Sequence, residues 1–115
     1  MRDVNRAMKS ARNVFVVLVT SPDLKTARKI AQAVLTKRLA ACANIIPKIE
    51  SHYWWQGKLE SSAESLMVFK TTRPRLARLE ATVVANHPYD TPEVIAVSLD
   101  SGNEKYLRWI STNVG

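Results

Sequence analysis

The chain has 115 residues, 46% of them hydrophobic and 23% charged, with a net charge of +7, which describes one globular domain and excludes a disordered composition. No apolar run approaches the roughly 20 residues of a membrane-crossing helix, so no membrane partner is expected. Residues 1–13 hold four basic and one acidic side chain and residues 14–115 thirteen and nine, a thinner basic stripe than nucleic acid wants, so no nucleic-acid partner is expected either.

In chain order, residues 1–13 carry Arg2, Arg6, Lys9 and Arg12 but no apolar stretch. They are not a secretory signal and read as a flexible tail, with an organellar transit remnant as the alternative. The folded domain is expected over 14–115. Val14 to Val19 is an unbroken apolar, mostly β-branched run, as in a strand buried on both faces. Thr20-Ser21-Pro22-Asp23 follows, with Ser21 expected as a helix N-cap and Pro22 in the first helical position. Ala27, Ile30, Ala31, Val34, Leu35 and Leu39 then recur at helical spacing.

From Cys42 the chain reads as extended, with Pro47 marking a bulge or edge position. Gln56-Gly57-Lys58 is a turn signal, and the returning strand reaches Leu66–Thr71. Thr72 and Pro74 suit the start of a second helix with Leu76, Leu79 and Val83 inside. Val94–Leu99 is a fourth strand, Asp100–Asn103 a turn, and Tyr106, Leu107 and Ile110 belong to a last helix.

This order predicts an α+β domain: a ferredoxin-like split βαββαβ sandwich with an extended hairpin between its second and third strands and an extra C-terminal helix. The first and third strands should be central. Tyr53, Trp54 and Trp55 sit at the hairpin tip. Aromatics beside long strand edges invite pairing with another copy, so a homo-oligomer joined through the hairpin is expected.

The lone Cys42 excludes an internal disulfide and a CxxC motif, and points to a reducing compartment, the cytoplasm. His87-Pro88-Tyr89-Asp90-Thr91-Pro92-Glu93 packs an imidazole, a phenol and two carboxylates into a connection stiffened by two prolines. His87 is a candidate metal ligand, with a histidine hydrogen-bonded at a helix C-terminus as the alternative reading. Glu93 and Asp90 offer hard oxygen. Cys42 offers soft sulfur, or is a small core residue. One Cys and the single core methionine Met67 cannot build a sulfur-rich copper(I) site. Tyr53, Trp55, Lys70, Tyr89 and Glu93 suit a small-molecule cleft between subunits, read alternatively as interface packing. No catalytic constellation stands out, and the chain is not read as an enzyme.

Thr20-Ser21-Pro22, Lys37-Arg38-Leu39-Ala40-Ala41-Cys42, Ser51-His52-Tyr53-Trp54-Trp55-Gln56-Gly57, His87-Pro88-Tyr89 and Gly102-Asn103 with Tyr106-Leu107 and Trp109 together resemble the CutA divalent-cation tolerance family, from about Val14 to Trp109. The resemblance implies a cytoplasmic homotrimer of ferredoxin-like, PII-like subunits knitted by their hairpins. It also implies a link to copper and other divalent-metal tolerance, and in animals a role in anchoring a membrane-associated esterase. On that basis copper(II) or another divalent cation, none obligatory, is expected at His87 with Glu93 or Cys42. The alternative is a trimeric signalling or scaffold module that receives a small ligand or partner protein in its inter-subunit clefts.

Overall fold

The computed structural model describes residues 8–115. Strands β1 (Met8–Ser10) and β2 (Val14–Ser21) lead into helix α1 (Leu24–Thr36). The long strands β3 (Cys42–Trp55) and β4 (Lys58–Thr72) follow, then a 3-10 turn (Arg73–Arg75) and helix α2 (Leu76–Asn86). Strand β5 (Val94–Ser98), the short β6 (Ser101–Asn103) and helix α3 (Glu104–Asn113) complete the chain.

The main sheet is antiparallel with strand order β3-β4-β2-β5, so the expected ferredoxin-like arrangement is present and the two apolar strands are central. One face is closed by α1 and α2. There Val17, Val19, Met67 and Phe69 pack against Ala27, Ile30, Val34, Leu79 and Val83 in a single core. Alternation along β4 follows from the pleat: Ser65, Met67, Phe69 and Thr71 are buried, and Leu66, Val68 and Lys70 between them are only partly so. The second face is covered at one end alone, where Ile110 of α3 meets Ala11 and Val14. The double-sided burial expected of Val14–Val19 is therefore only half supplied within one copy: Val16 and Leu18 stay half-exposed.

Several local readings need correction. Residues 8–13 were expected in the tail, yet β1 pairs with β6 and Ala11 is buried, its N–H donating to Asp100 O at 3.0 Å. Ser101–Asn103, expected as a turn, is the other half of that pair. The remainder of the expected tail, residues 1–7, lies outside the described residues. The α1 cap is Asp23, which accepts from Thr26 N–H at 2.8 Å, and not Ser21, which ends β2 and is turned inward. That bond, with help from Lys25, holds the Asp23 carboxyl below its ordinary value.

The turn and bulge follow the sequence. Gln56 and Gly57 both have positive φ (50° and 77°), the type I′ geometry that matches strand twist in a two-residue hairpin loop. Pro47 lies where the β3–β4 register slips between Ile46 and Ile49, and Ser65 Oγ satisfies its carbonyl at 2.8 Å.

Helix α1 ends in a Schellman motif without glycine. Leu39 N–H reaches Val34 O at 3.1 Å, Arg38 N–H reaches Leu35 O at 2.9 Å, and Arg38 takes φ 54°. A side chain in the left-handed region is strained, so Arg38→Gly is expected to raise stability by about 1 kcal/mol. Urea unfolding checks this; an unchanged or lower midpoint would count against it.

Candidate functional site

The stiff connection after α2 is built around His87. This residue leaves the helix in extended geometry and turns its ring back under the end of β2. Its Nδ1 accepts from Tyr89 N–H at 3.1 Å. The proton therefore sits on Nε2, which donates to Thr20 O at 2.7 Å. Both ring nitrogens are engaged, so a metal ion at His87 has to displace one of these bonds.

Tyr89 stacks obliquely on His87, with ring centroids 4.8 Å apart. Its hydroxyl passes beyond the end of β2 and donates to Glu64 Oε2 on β4 at 3.0 Å. Burial, and next the bond to a carboxylate, push the Tyr89 phenol up from 10.0 to about 12. Tyr53 lies on the same face of the hairpin, its hydroxyl 3.1 Å from Ser62 Oγ. His87, Tyr89, Tyr53 and Glu64 thus form one polar cluster where β3 and β4 leave the body of the sheet. Glu64 was not among the sequence candidates. It stands in the polar stretch Glu60–Glu64, and only the register past Ser65 reveals what it meets.

The other candidates lie elsewhere. Trp55 is at the tip, on the Tyr53 face, and 48% exposed. Glu93 and Asp90 are exposed and, among the described residues, make no side-chain hydrogen bond. Lys70 donates to Asn44 Oδ1 across the strand pair. It is six positions from Glu64 along β4, roughly 20 Å at strand rise. Cys42 lies opposite Lys70, with Sγ 3.9 Å from Tyr106 Oη. Tyr106 stacks on Trp109 at 5.6 Å, and burial, then the Cys42 contact, raise its phenol above the ordinary value. Of the five expected cleft residues, the fold therefore brings Tyr53 and Tyr89 into one cluster with Trp55 further along the same face, and it sets Lys70 apart, as it does the expected ligands His87 and Cys42 from each other. Among the described residues no three His, Cys, Asp or Glu side chains come together as metal ligands. The described residues of a single protomer therefore offer no three-ligand site.

This geometry sits on a chain whose residues 15–113 match the family model for the CutA1 divalent ion tolerance protein. The chain belongs to this family. It is 46% identical over 98 residues to the chloroplastic protein CutA 1 of rice (Oryza sativa subsp. japonica), covering 85% of the chain and 55% of that relative's length. It is 44% identical over 100 residues to the divalent-cation tolerance protein CutA of Thermus thermophilus, covering 87% of the chain and 97% of the relative. The solved Thermus structure superposes with a TM-score of 0.86 at 43% identity, over 89% of this chain and 99% of that one. The solved periplasmic divalent cation tolerance protein CutA of Archaeoglobus fulgidus gives 0.85 at 37% identity, over 89% and 99%.

These CutA relatives overturn the cytoplasmic placement. The rice relative is chloroplastic and the Archaeoglobus protein periplasmic by name. The inference failed because a single cysteine has no partner to oxidise with, so its unpaired state carries no record of compartment.

The Tyr89 phenol gives this CutA site a pH signature. Its proton is held more tightly in the folded than in the unfolded chain, so the associated stability is fully present below pH 10.0 and lost as pH rises toward about 12. Tyr89→Phe is expected to flatten that decline and to remove a late-titrating tyrosinate from the ultraviolet absorbance curve. An unchanged curve would detach Tyr89 from Glu64.

Proposed function

We propose that this chain acts as a homotrimeric divalent-cation tolerance protein whose copies join through the β3–β4 arm and the open face of the sheet. The observation that carries the reading is the apolar surface left uncovered in one copy. Ile46, Ile95 and Val97 are each 44–50% exposed beside half-buried Leu18, Leu66 and Val68 on one sheet face, and Trp54 and Leu59 on the arm are 73% and 65% exposed. A single copy in water gains nothing from displaying these groups, whereas each roughly 100 Å² of apolar area covered by a neighbour is worth about 2.5 kcal/mol. The names of the Thermus and Archaeoglobus relatives supply the link to divalent cations.

No three candidate ligands meet among the described residues of one protomer, so this reading puts weak copper(II) or other divalent-cation binding where copies adjoin, with His87 contributed by one and Glu93 or Cys42 by another. Imidazole with carboxylate or thiolate suits copper(II), nickel or zinc. No group in the polar cluster is arranged as a nucleophile with its base, and we read the protein as non-catalytic.

A second reading has one observation in its favour. Tyr53, Tyr89 and Glu64 face the same side of the arm, which in a trimer is a cleft wall. Trp55 extends that wall, while Lys70 and Glu93 would come from an adjoining copy to hold a small ligand or partner protein.

Native mass spectrometry separates these readings. The untreated protein is expected as a trimer, and the Ile95→Asp/Val97→Asp variant as a monomer. A monomeric parent would sink the assembly. Copper(II), zinc and nickel added in turn should bind the trimer, and His87→Ala should lower uptake at least tenfold. Unchanged uptake would remove His87 from the site. Metal-independent quenching of Trp55 by small anions, lost in Tyr89→Phe, would favour the cleft.

A further inference from the structure

The positive charge looks scattered along the chain, but folding collects much of it at the end of the molecule opposite the hairpin arm. Arg73 N–H donates to Asn13 O at 3.0 Å, and Thr71 Oγ1 donates to Leu39 O at 2.6 Å. Ser98 Oγ donates to Arg12 O at 3.0 Å, and Val14 lies opposite Thr72. These links gather the start of β2, the end of α1 and the start of α2 into one pole. It carries Arg12, Lys37, Arg38, Arg73, Arg75 and Arg78, all exposed except the half-buried Arg75.

Opposing charge at the pole is sparse. Among the described residues the ion pairs are Lys9–Glu104, His52–Glu50 and Arg108–Glu104, and none uses a cation of the pole. Glu80, four positions past Leu76 on α2, lines a groove with Leu76, Val94 and Ala96. Asp100 is turned toward Ser101, which donates to its carboxylate at 3.1 Å. Gly115 N–H donates to Arg38 O at 2.8 Å, which ties the segment after α3 to the same pole. The cations also stand where helix stability does not want them: α2 has no acidic residue in its first turn and no side-chain cap, yet Arg73, Arg75 and Arg78 crowd its positive end. Arg73 is held in place over the Phe15 ring at 4.7 Å.

We propose that this pole is a sequence-independent docking surface for the phosphate backbone of a nucleic-acid duplex. Five of the six cations are arginine, whose planar fork matches phosphate oxygens. The three segments that supply the cations carry no exposed large hydrophobic or aromatic side chain, and the exposed aromatics of α3, Tyr106 and Trp109, stack on each other at 5.6 Å, which leaves the cations themselves without a platform for unpaired bases. A bilayer is the weaker fit. Membrane-surface binders place cations and aromatics on one face, and here Trp54 and Trp55 occupy the far end of a molecule 54 Å long. The composition did not announce the partner because the six residues come from three separated segments. The inference needs neither the trimer nor the metal.

The test is fluorescence anisotropy of the full chain with two labelled duplexes of unrelated sequence, over a salt series. Both should bind equally, with log K falling against log salt at a slope of about −5 for six phosphate contacts. Arg73→Gln/Arg75→Gln/Arg78→Gln should reduce the slope to about −3 and weaken binding at least tenfold. Lys48→Gln/Lys58→Gln, on the hairpin arm at the opposite end of the molecule, should change neither. If the triple variant fails to fold, Arg12→Gln/Lys37→Gln should lower the slope by about 2. No binding at about 50 mM salt, a slope indifferent to the pole variants, or retention on phosphatidylserine vesicles alone would each overturn the proposal.

Discussion

Strands β3 and β4 outrun their neighbours, and the rest of the molecule is arranged around that mismatch. They are 14 and 15 residues long against 8 for β2 and 5 for β5. Past the Ser21–Ser65 pair they have, among the described residues, only each other, and β4 shows an unpaired edge there where β2 has stopped. A two-stranded ribbon is marginal alone in water. The type I′ turn closes the tip, and the Pro47 bulge adds local twist as the pair leaves the sheet. Neither device covers Trp54, Leu59 or the free edges. The arm is therefore an element whose stability is completed from outside the protomer, and this favours the proposed assembly.

The same mismatch explains the 87–93 connection. β2 ends early, so a loop can pass over its last residues and reach β4 beyond them. His87 anchors that passage by satisfying Thr20 O, a backbone group that would otherwise be left at a strand end. Tyr89 completes it at Glu64. The histidine is thus first a fastening between helix and strand. Any metal chemistry at its ring competes with two hydrogen bonds, which accords with weak and conditional binding more than with a resident ion.

Much of the fold was legible because periodicity and burial agreed. The apolar runs Val14–Val19 and Leu66–Phe69 became the central strands, and the Ala27–Val34 stripe became the inner face of α1. Local chemistry misled where two residues offered the same service. Ser21 and Asp23 both suit an N-cap, and the choice fell to Asp23 once Ser21 was drawn into the sheet. The Arg38 left-handed cap had no glycine to announce it, since the burial of Leu39 in the core fixes that geometry. The β1–β6 pair is three residues on each side and carries no alternation to read. The site was legible only in parts. His87 and Tyr89 were visible as a motif, but Glu64 depends on register over a long hairpin, and Lys70 and Cys42 belong to the other end of it.

Charge and apolar surface are divided between the two ends of the molecule, and the division bears on how copies meet. Each carries a net charge of +7, so two copies repel, most strongly through the pole where the six cations gather. At the arm the charges are of both signs, with Lys48, Lys58, Glu50, Glu60 and Glu64, and the exposed side chains beside them are aromatic or aliphatic. Repulsion at about 4 Å separation costs on the order of several kcal/mol per pair where the surroundings are partly desolvated, while burial of the open sheet face is favourable. Approach through the poles is disfavoured and approach through the arms is not. In the proposed assembly the cationic end is thereby kept out of the homotypic contact and left for the proposed partner of opposite charge.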